Sequence, residues 1–310
     1  MERRFSTKIS LILLIISACL TLCSCKSAAD DSQPEEQPTS EQSAKHTAVV
    51  LTGSADGTVV YGNDSVTIDA SHTANGYVMA DYTGSNSKVK FRITGPDNVT
   101  YTYNLHNSYE TFPLTSGNGD YLLEVFENIK GNRYSTLFSQ NIQVSIENSF
   151  DPFLYANQYV NFSADSEVVA KGEELASSAS TDVEIVENVY DYIITHFTYD
   201  YDKADSVQSG YLPDVDEIYR SNTGICFDYA AVMAAMLRTQ QIPTRLEVGY
   251  MGDAYHAWIS TYITNKGWVN GIIEFDGNDW KLMDPTFAST SSSPKDFLTD
   301  NDKYITKYVY

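Results

Sequence analysis

The chain has 310 residues, 42% of them hydrophobic and 20% charged, with a formal net charge of -21. That length suits two domains of the usual ~100–200 residues, each able to bury its own core. The acidic excess excludes a nucleic-acid partner, which would require a basic face, and reads mainly as solubility; with no phosphate loop and no metal-spaced ligand cluster, neither cofactor nor metal is expected.

Arg3, Arg4 and Lys8 precede an apolar run from Ile9 to Leu22. The run is shorter than the ~20 residues of a membrane-spanning helix and reads as a secretory signal peptide. It ends in Leu22-Cys23-Ser24-Cys25, followed by Lys26. This resembles a bacterial lipobox, which implies lipidation of Cys25 and an extracytoplasmic protein anchored to the cell membrane. Ile16-Ser17-Ala18-Cys19 fits the same pattern, but cleavage there would leave Leu20-Thr21-Leu22 exposed, so Cys25 is preferred. Cys226 is then the one remaining free thiol and no internal disulfide framework exists. Residues 1–25 are thus assigned to the signal. Residues 26–46, rich in Ser, Gln, Glu, Asp and Pro, bury too little apolar surface to order and read as an acidic tether.

From 47 to 148 the pattern is short and alternating. Val49–Leu51, Ser65–Asp69, Tyr77–Ala80, Lys88–Ile93, Tyr101–Leu105, Tyr121–Phe126, Tyr134–Phe138 and Ile142–Ile146 are expected strands. Gly95-Pro96-Asp97-Asn98, Gly117-Asn118-Gly119-Asp120 and Lys130-Gly131-Asn132 supply the turns. Strands at about ten-residue spacing indicate a β-sandwich, and Gly119-Asp120-Tyr121 leading into an alternating strand resembles immunoglobulin-like modules of bacterial surface proteins. His72 and His106 are placed in surface loops.

The period changes after Asn148-Ser149-Phe150-Asp151-Pro152. Asp182–Phe197 carries Val186, Val189, Ile193 and Phe197 on one helical face, with Asp182 as N-cap and His196 at the C-terminal end; Ser166–Ser178 is a second helix. Leu246–Tyr250, Tyr255–Tyr262, Ile272–Asp276 and Trp280–Met283 read as one antiparallel sheet. The fold class expected is α+β, with an all-β sandwich followed by an α+β domain over 149–310.

Gly224-Ile225-Cys226-Phe227-Asp228-Tyr229-Ala230 opens an apolar helix; His256-Ala257-Trp258 and Asp284-Pro285-Thr286 follow. A lone thiol at a helix start, where unpaired N–H groups favour the thiolate, followed by a His and an Asp, is the set of parts for a nucleophile, its base and the base's orienter. The Cys226 N–H is one donor for an oxyanion; the second is not assignable from sequence. Asp228 is expected to fix the helix start, Arg245 to make a structural ion pair, and Trp258 to line the cleft or join the core.

With Tyr199-Asp200-Tyr201, Leu237-Arg238-Thr239-Gln240-Gln241-Ile242-Pro243-Thr244-Arg245, Val248-Gly249-Tyr250 and Trp280–Thr286 around it, this constellation resembles the transglutaminase-like superfamily of papain-type fold, from about Phe150 to Thr286. The resemblance implies Cys226 as nucleophile, His256 as general base and acid, and Asp284 as orienter. It also implies action on amide bonds of a protein, peptide or cell-wall peptide through a thioester, as a peptidase, amidase or transamidase. The alternatives are an inactive module of that family that binds peptide or cell-wall polymer, and a surface adhesin. Asn265-Lys266-Gly267-Trp268 departs from the family pattern by lengthening the hairpin after the His strand.

Overall fold

The computed structural model describes residues 46–270, 272–275, 280–283, 286 and 304–310. The signal, Cys25 and nearly all of the tether therefore lie outside the described residues. The described chain is mixed α/β.

The first half forms two antiparallel sheets. One has the order β1 (Val60–Gly62), β2 (Val66–Asp69), β3 (Tyr77–Tyr82), β6 (Glu110–Pro113); the other runs β5 (Thr100–Asn104), β4 (Val89–Thr94), β7 (Gly119–Lys130), β8 (Arg133–Val144). Strict alternation drives this: in β4, Val89, Phe91 and Ile93 are buried while Lys90, Arg92 and Thr94 are not, as expected of strands with one face on a core. The two inner faces meet through Phe112 of β6, whose ring lies 4.8 Å from Phe91 and 4.9 Å from Tyr103.

Three expectations change. The two strands expected over 134–146 are one continuous twelve-residue strand, β8, paired along β7 with a bulge; the alternation breaks at the bulge. β1 and β6 are short edge strands that carry little pattern of their own. Val49–Leu51 joins no sheet. Val49 N–H donates to the carbonyl of Thr239 at 2.8 Å, and the Leu51 carbonyl accepts from Ala156 N–H at 2.8 Å, so this apolar run lies along the second half.

The second half is built on α5 (Cys226–Arg238), in which every residue from Tyr229 to Arg238 is buried. A helix apolar on all sides belongs at the centre of a core. Around it pack α1 (Glu167–Ala176), α2 (Asp182–His196), α4 (Val215–Ser221) and two strands of a sheet ordered β13 (Gly267–Asn270), β12 (Ala254–Ile263), β11 (Thr244–Met251), β16 (Tyr304–Val309). α2 starts where periodicity places it, but its cap is Thr181, whose Oγ1 accepts Glu184 N–H at 3.2 Å, rather than Asp182. β14 (Ile272–Phe275) and β15 (Trp280–Met283) form a separate two-stranded hairpin instead of extending the expected sheet. The place beside β11 goes to β16, where Gly249 is required: a Cβ there would lie 2.0 Å from the Ile305 carbonyl oxygen.

The two halves share one hydrophobic core. Tyr310 packs on Tyr101, Tyr103 and Tyr159, Thr115 Oγ1 donates to the Val309 carbonyl at 2.9 Å, and Phe150 and Phe153 of the junction pack on Trp268.

Candidate active site

Cys226 is the first residue of α5 and is half-buried. The turn it occupies is fixed by Asp228, which is fully buried. Asp228 Oδ2 accepts Ile225 N–H at 2.9 Å, closing the helix start. The carboxylate also accepts from Lys203 Nζ at 2.6 Å and from Tyr211 OH at 2.6 Å, while Lys203 Nζ reaches the Tyr211 hydroxyl at 2.7 Å. Lys203 comes from α3 (Tyr201–Ser206) and Tyr211 from the loop after it. A buried carboxylate is tolerated only when paired and fully bonded; here that requirement ties the 200–211 segment to the nucleophile's own helix turn. Burial and the bond to Asp228 push the Tyr211 phenol well above its ordinary range.

A second constraint is backbone. β9 (Thr198–Tyr199) runs parallel to β10 (Thr223–Gly224), pairing Tyr199 with Gly224. Gly224 cannot carry a side chain, since its Cβ would lie 2.6 Å from the Asp228 Cβ. Tyr199 is thereby held two residues from Cys226. Its phenol is pushed up to about 12 by burial and by the charge of Cys226, and lowered in part by the Cys226 backbone N–H. The N–H expected to serve an oxyanion therefore faces the Tyr199 oxygen. Tyr255 is raised by burial first, then by Tyr308, Tyr250 and Cys226. Tyr255 is not distinguished in sequence among 23 tyrosines; Tyr199 belongs to the Tyr199-Asp200-Tyr201 run that carries the resemblance, but nothing in that run marks its approach to Cys226.

His256 lies on β12, which packs on α5, and is 7% exposed. It pairs with Gly249 across the ladder, and its ring centroid is 6.2 Å from Trp258 and 6.4 Å from Tyr304. Trp258 is 3% exposed and belongs to the packed interior beside His256. Asp284 lies outside the described residues. His196 ends α2 with Nδ1 2.9 Å from the Tyr192 carbonyl, and His72 and His106 contact Asp56 and Glu110 in loops of the first half. Arg245 departs from expectation: no carboxylate pairs with it among the described residues, and its guanidinium lies 3.7 Å from the Trp268 ring centroid and 4.8 Å from that of Phe153. Among the described residues no group of three His, Cys, Asp or Glu could hold a metal.

Residues 170–271 match the model of the transglutaminase-like superfamily. This segment is a transglutaminase-like domain. It begins within α1, contains Cys226 and His256 and ends just after β13; Asp284 lies beyond it. The fold is similar to a proposed cysteine protease from Cytophaga hutchinsonii, at 14% identity over 81% of this chain and 73% of that one, with a TM-score of 0.38. It is similar to the periplasmic domain of TgpA from Pseudomonas aeruginosa bound to ethylmercury, at 14% identity over 73% and 97%, TM-score 0.33. It is also similar to red sea bream transglutaminase, at 12% identity over 68% and 48%, TM-score 0.24. Likenesses at these scores carry no argument about this chain. No curated protein matches the chain.

Proposed function

We propose that the protein is a thiol acyltransferase or hydrolase acting on amide bonds of a protein, peptide or cell-wall peptide. Cys226 is the nucleophile, His256 its base and acid, and Asp284 the orienter of His256. The observation that carries this reading is the placement of the one described cysteine at the first position of a buried helix. A buried Asp228 clamps its turn, and the strand bearing a buried histidine packs on the same helix.

The thiol proton passes to His256 as Sγ attacks the amide carbon. The C–N bond of the tetrahedral intermediate then breaks, and His256 returns the proton to the leaving amine. The thioester is opened by water or by a second amine, which gives an acid or a new amide and restores the thiol. Cys25 carries the lipid that holds the protein at the outer face of the cell membrane, residues 26–46 are its tether, and the two-sheet region over 47–148 is an immunoglobulin-like spacer ahead of the 149–310 domain.

Alkylation of Cys226 followed by mass spectrometry across pH tests the chemistry. A paired thiol reacts faster near neutral pH than a free model thiol, whose pKa is about 8.5, and His256→Ala and Asp284→Ala each slow it. Equal rates in wild type and His256→Ala would refute the assignment. Metabolic labelling with a fatty-acid analogue, lost in Cys25→Ala, tests the anchor.

A further inference from the structure

Arg245 is an unusual cation for this chain. Acidic residues outnumber basic ones 41 to 20, yet none of the described carboxylates pairs with it. Its nearest candidate, Glu247, two residues along the same face of β11, is 4% exposed and already accepts from Ser260 Oγ at 2.5 Å and Thr306 Oγ1 at 2.6 Å. The guanidinium lies against Trp268 and, to one side, Phe153, two rings 5.2 Å apart that meet edge to face. Such contacts hold the group without using its donors. Among the described residues Nε is occluded without a hydrogen-bond partner, and neither Nη donates to a described acceptor.

Arg245 lines a cavity of about 380 Å³ between the β6–β7 turn, the junction and β11. The volume is at the low end of the ~300–1,000 Å³ typical of small-molecule sites. Leu114, Ile146, Pro152 and Phe153 supply an apolar wall. Asn118, also in the lining, uses Oδ1 to accept Ile146 N–H at 2.7 Å, and its amide N–H₂ has no partner among the described residues.

We propose that this cavity binds a carboxylate-bearing ligand, the free carboxylate of a small acylated amino acid or peptide end, through the Nη edge of Arg245. A guanidinium held against Trp268, with its Nη groups unclaimed by described acceptors, can make two parallel bonds to one carboxylate. Arg245 is the single charged residue of the lining, so a monoanion is matched and a dianion such as phosphate is left with uncompensated charge inside a strongly acidic protein. The apolar wall takes the group next to the carboxylate. The site is separate from the Cys226 chemistry, and the inference does not depend on it.

Titration calorimetry on the folded chain with N-acetylalanine and with N-acetylalaninamide tests the proposal, because the two probes differ in the carboxylate alone. The acid is expected to bind saturably and the amide at least about ten-fold more weakly. Arg245→Gln should lose a similar factor, and Arg245→Lys, which keeps the charge but not the fork, should lose part of it. Equal binding of acid and amide, no saturable binding of the acid, tighter binding of inorganic phosphate, or wild-type affinity in Arg245→Gln would each overturn it. The acid-against-amide comparison uses the wild-type protein and stands even if Arg245→Gln fails to fold.

Discussion

The two halves of the molecule bury different things. Between β1 and β8 the interior is apolar and aromatic, and Asp69 is its one buried charged or polar side chain among the described residues. From Asn157 onward the interior also holds Asp228, Arg238, Thr239, Thr244, Glu247, His256, Ser260 and others. Buried polar groups destabilise unless every bond is made, and most of those in the second half make them. The contrast separates a region whose residues mainly hold shape from one in which polar groups set positions, with Cys226 among them.

The largest effect is expected where a buried charge is satisfied by backbone alone. Arg238 donates from Nε to the Thr244 carbonyl at 2.9 Å, from Nη1 to Tyr155 at 2.8 Å and from Nη2 to Tyr310 at 2.8 Å. These carbonyls belong to the start of β11, the junction and the residue after β16. Arg238→Leu removes a donor from all three acceptors, of which the Tyr310 oxygen still accepts Leu246 N–H at 2.9 Å; at roughly 1 kcal/mol or more for each acceptor left short, a loss of about 2–3 kcal/mol and a fall of roughly 4–12 °C in Tm are expected. Because the core is continuous across both halves, calorimetry should show one transition moving down. A second transition left at the wild-type temperature would mean that the first half is stable on its own.

Asp228→Asn sharpens the contrast at the site. The amide keeps its oxygen toward Ile225 N–H and Lys203 and turns its N–H₂ to the Tyr211 hydroxyl, so that hydroxyl's donation and the charge opposite Lys203 are lost, at about 1–3 kcal/mol. A residue that only stabilised would leave the thiol's reactivity unchanged in the folded fraction. As a positioning residue for Cys226, Asp228 should instead change the pH profile of Cys226 alkylation at temperatures well below Tm. An unaltered profile would reduce it to a structural role.

How much of this was legible differs between the halves for the same reason. In the first half β4, β5 and much of β7 follow directly from alternation, whereas β2 and β3 are buried on both faces and stand out as short apolar runs. In the second, α5 and the Cys226 and His256 strand–helix placement stand out because the helix is apolar on all sides and the motif letters are specific. What sequence does not carry is long-range: β16 against β11, the Lys203–Tyr211–Asp228 cluster, and the stacking of Arg245. Each joins residues distant in the chain, and a partner so far away leaves no local period. An arginine that pairs with a carboxylate and one that stacks on Trp268 look alike in sequence.

Tyrosine burial is the feature both halves share, and it predicts alkaline behaviour. Tyr159, Tyr192 and Tyr199 are each pushed up to about 12, with burial the largest cause, and Tyr101, Tyr103 and Tyr121 of the first half are raised by burial as well. An unfolded tyrosine loses its proton near pH 10. Between about pH 10 and 12 the folded chain therefore binds more protons than the unfolded one, and stability falls as pH rises. The contribution is fully present below pH 10. Thermal melts from pH 9 to 12, with tyrosinate absorbance followed in parallel, should show Tm dropping through that window; a flat Tm would contradict the burial of these hydroxyls.

The smallest effect has the opposite sign and tests the rule behind the comparison. Tyr103 is 1% exposed, and its hydroxyl has no hydrogen-bond partner among the described residues. Its ring does the packing, against Phe112, Tyr159 and Tyr310 at 4.9, 5.7 and 6.0 Å. The hydroxyl thus bears desolvation without return, a penalty of about 1–3 kcal/mol where no water intervenes. Tyr103→Phe keeps the ring and removes the unpaired group, at the expense of a void the size of one oxygen. The two terms nearly cancel, and a change between zero and about 1 kcal/mol of stabilisation is expected. Chemical denaturation at neutral pH measures it. A loss of 1 kcal/mol or more would show that this hydroxyl is bonded in solution, through a buried water, and that the first half also depends on polar satisfaction in its core.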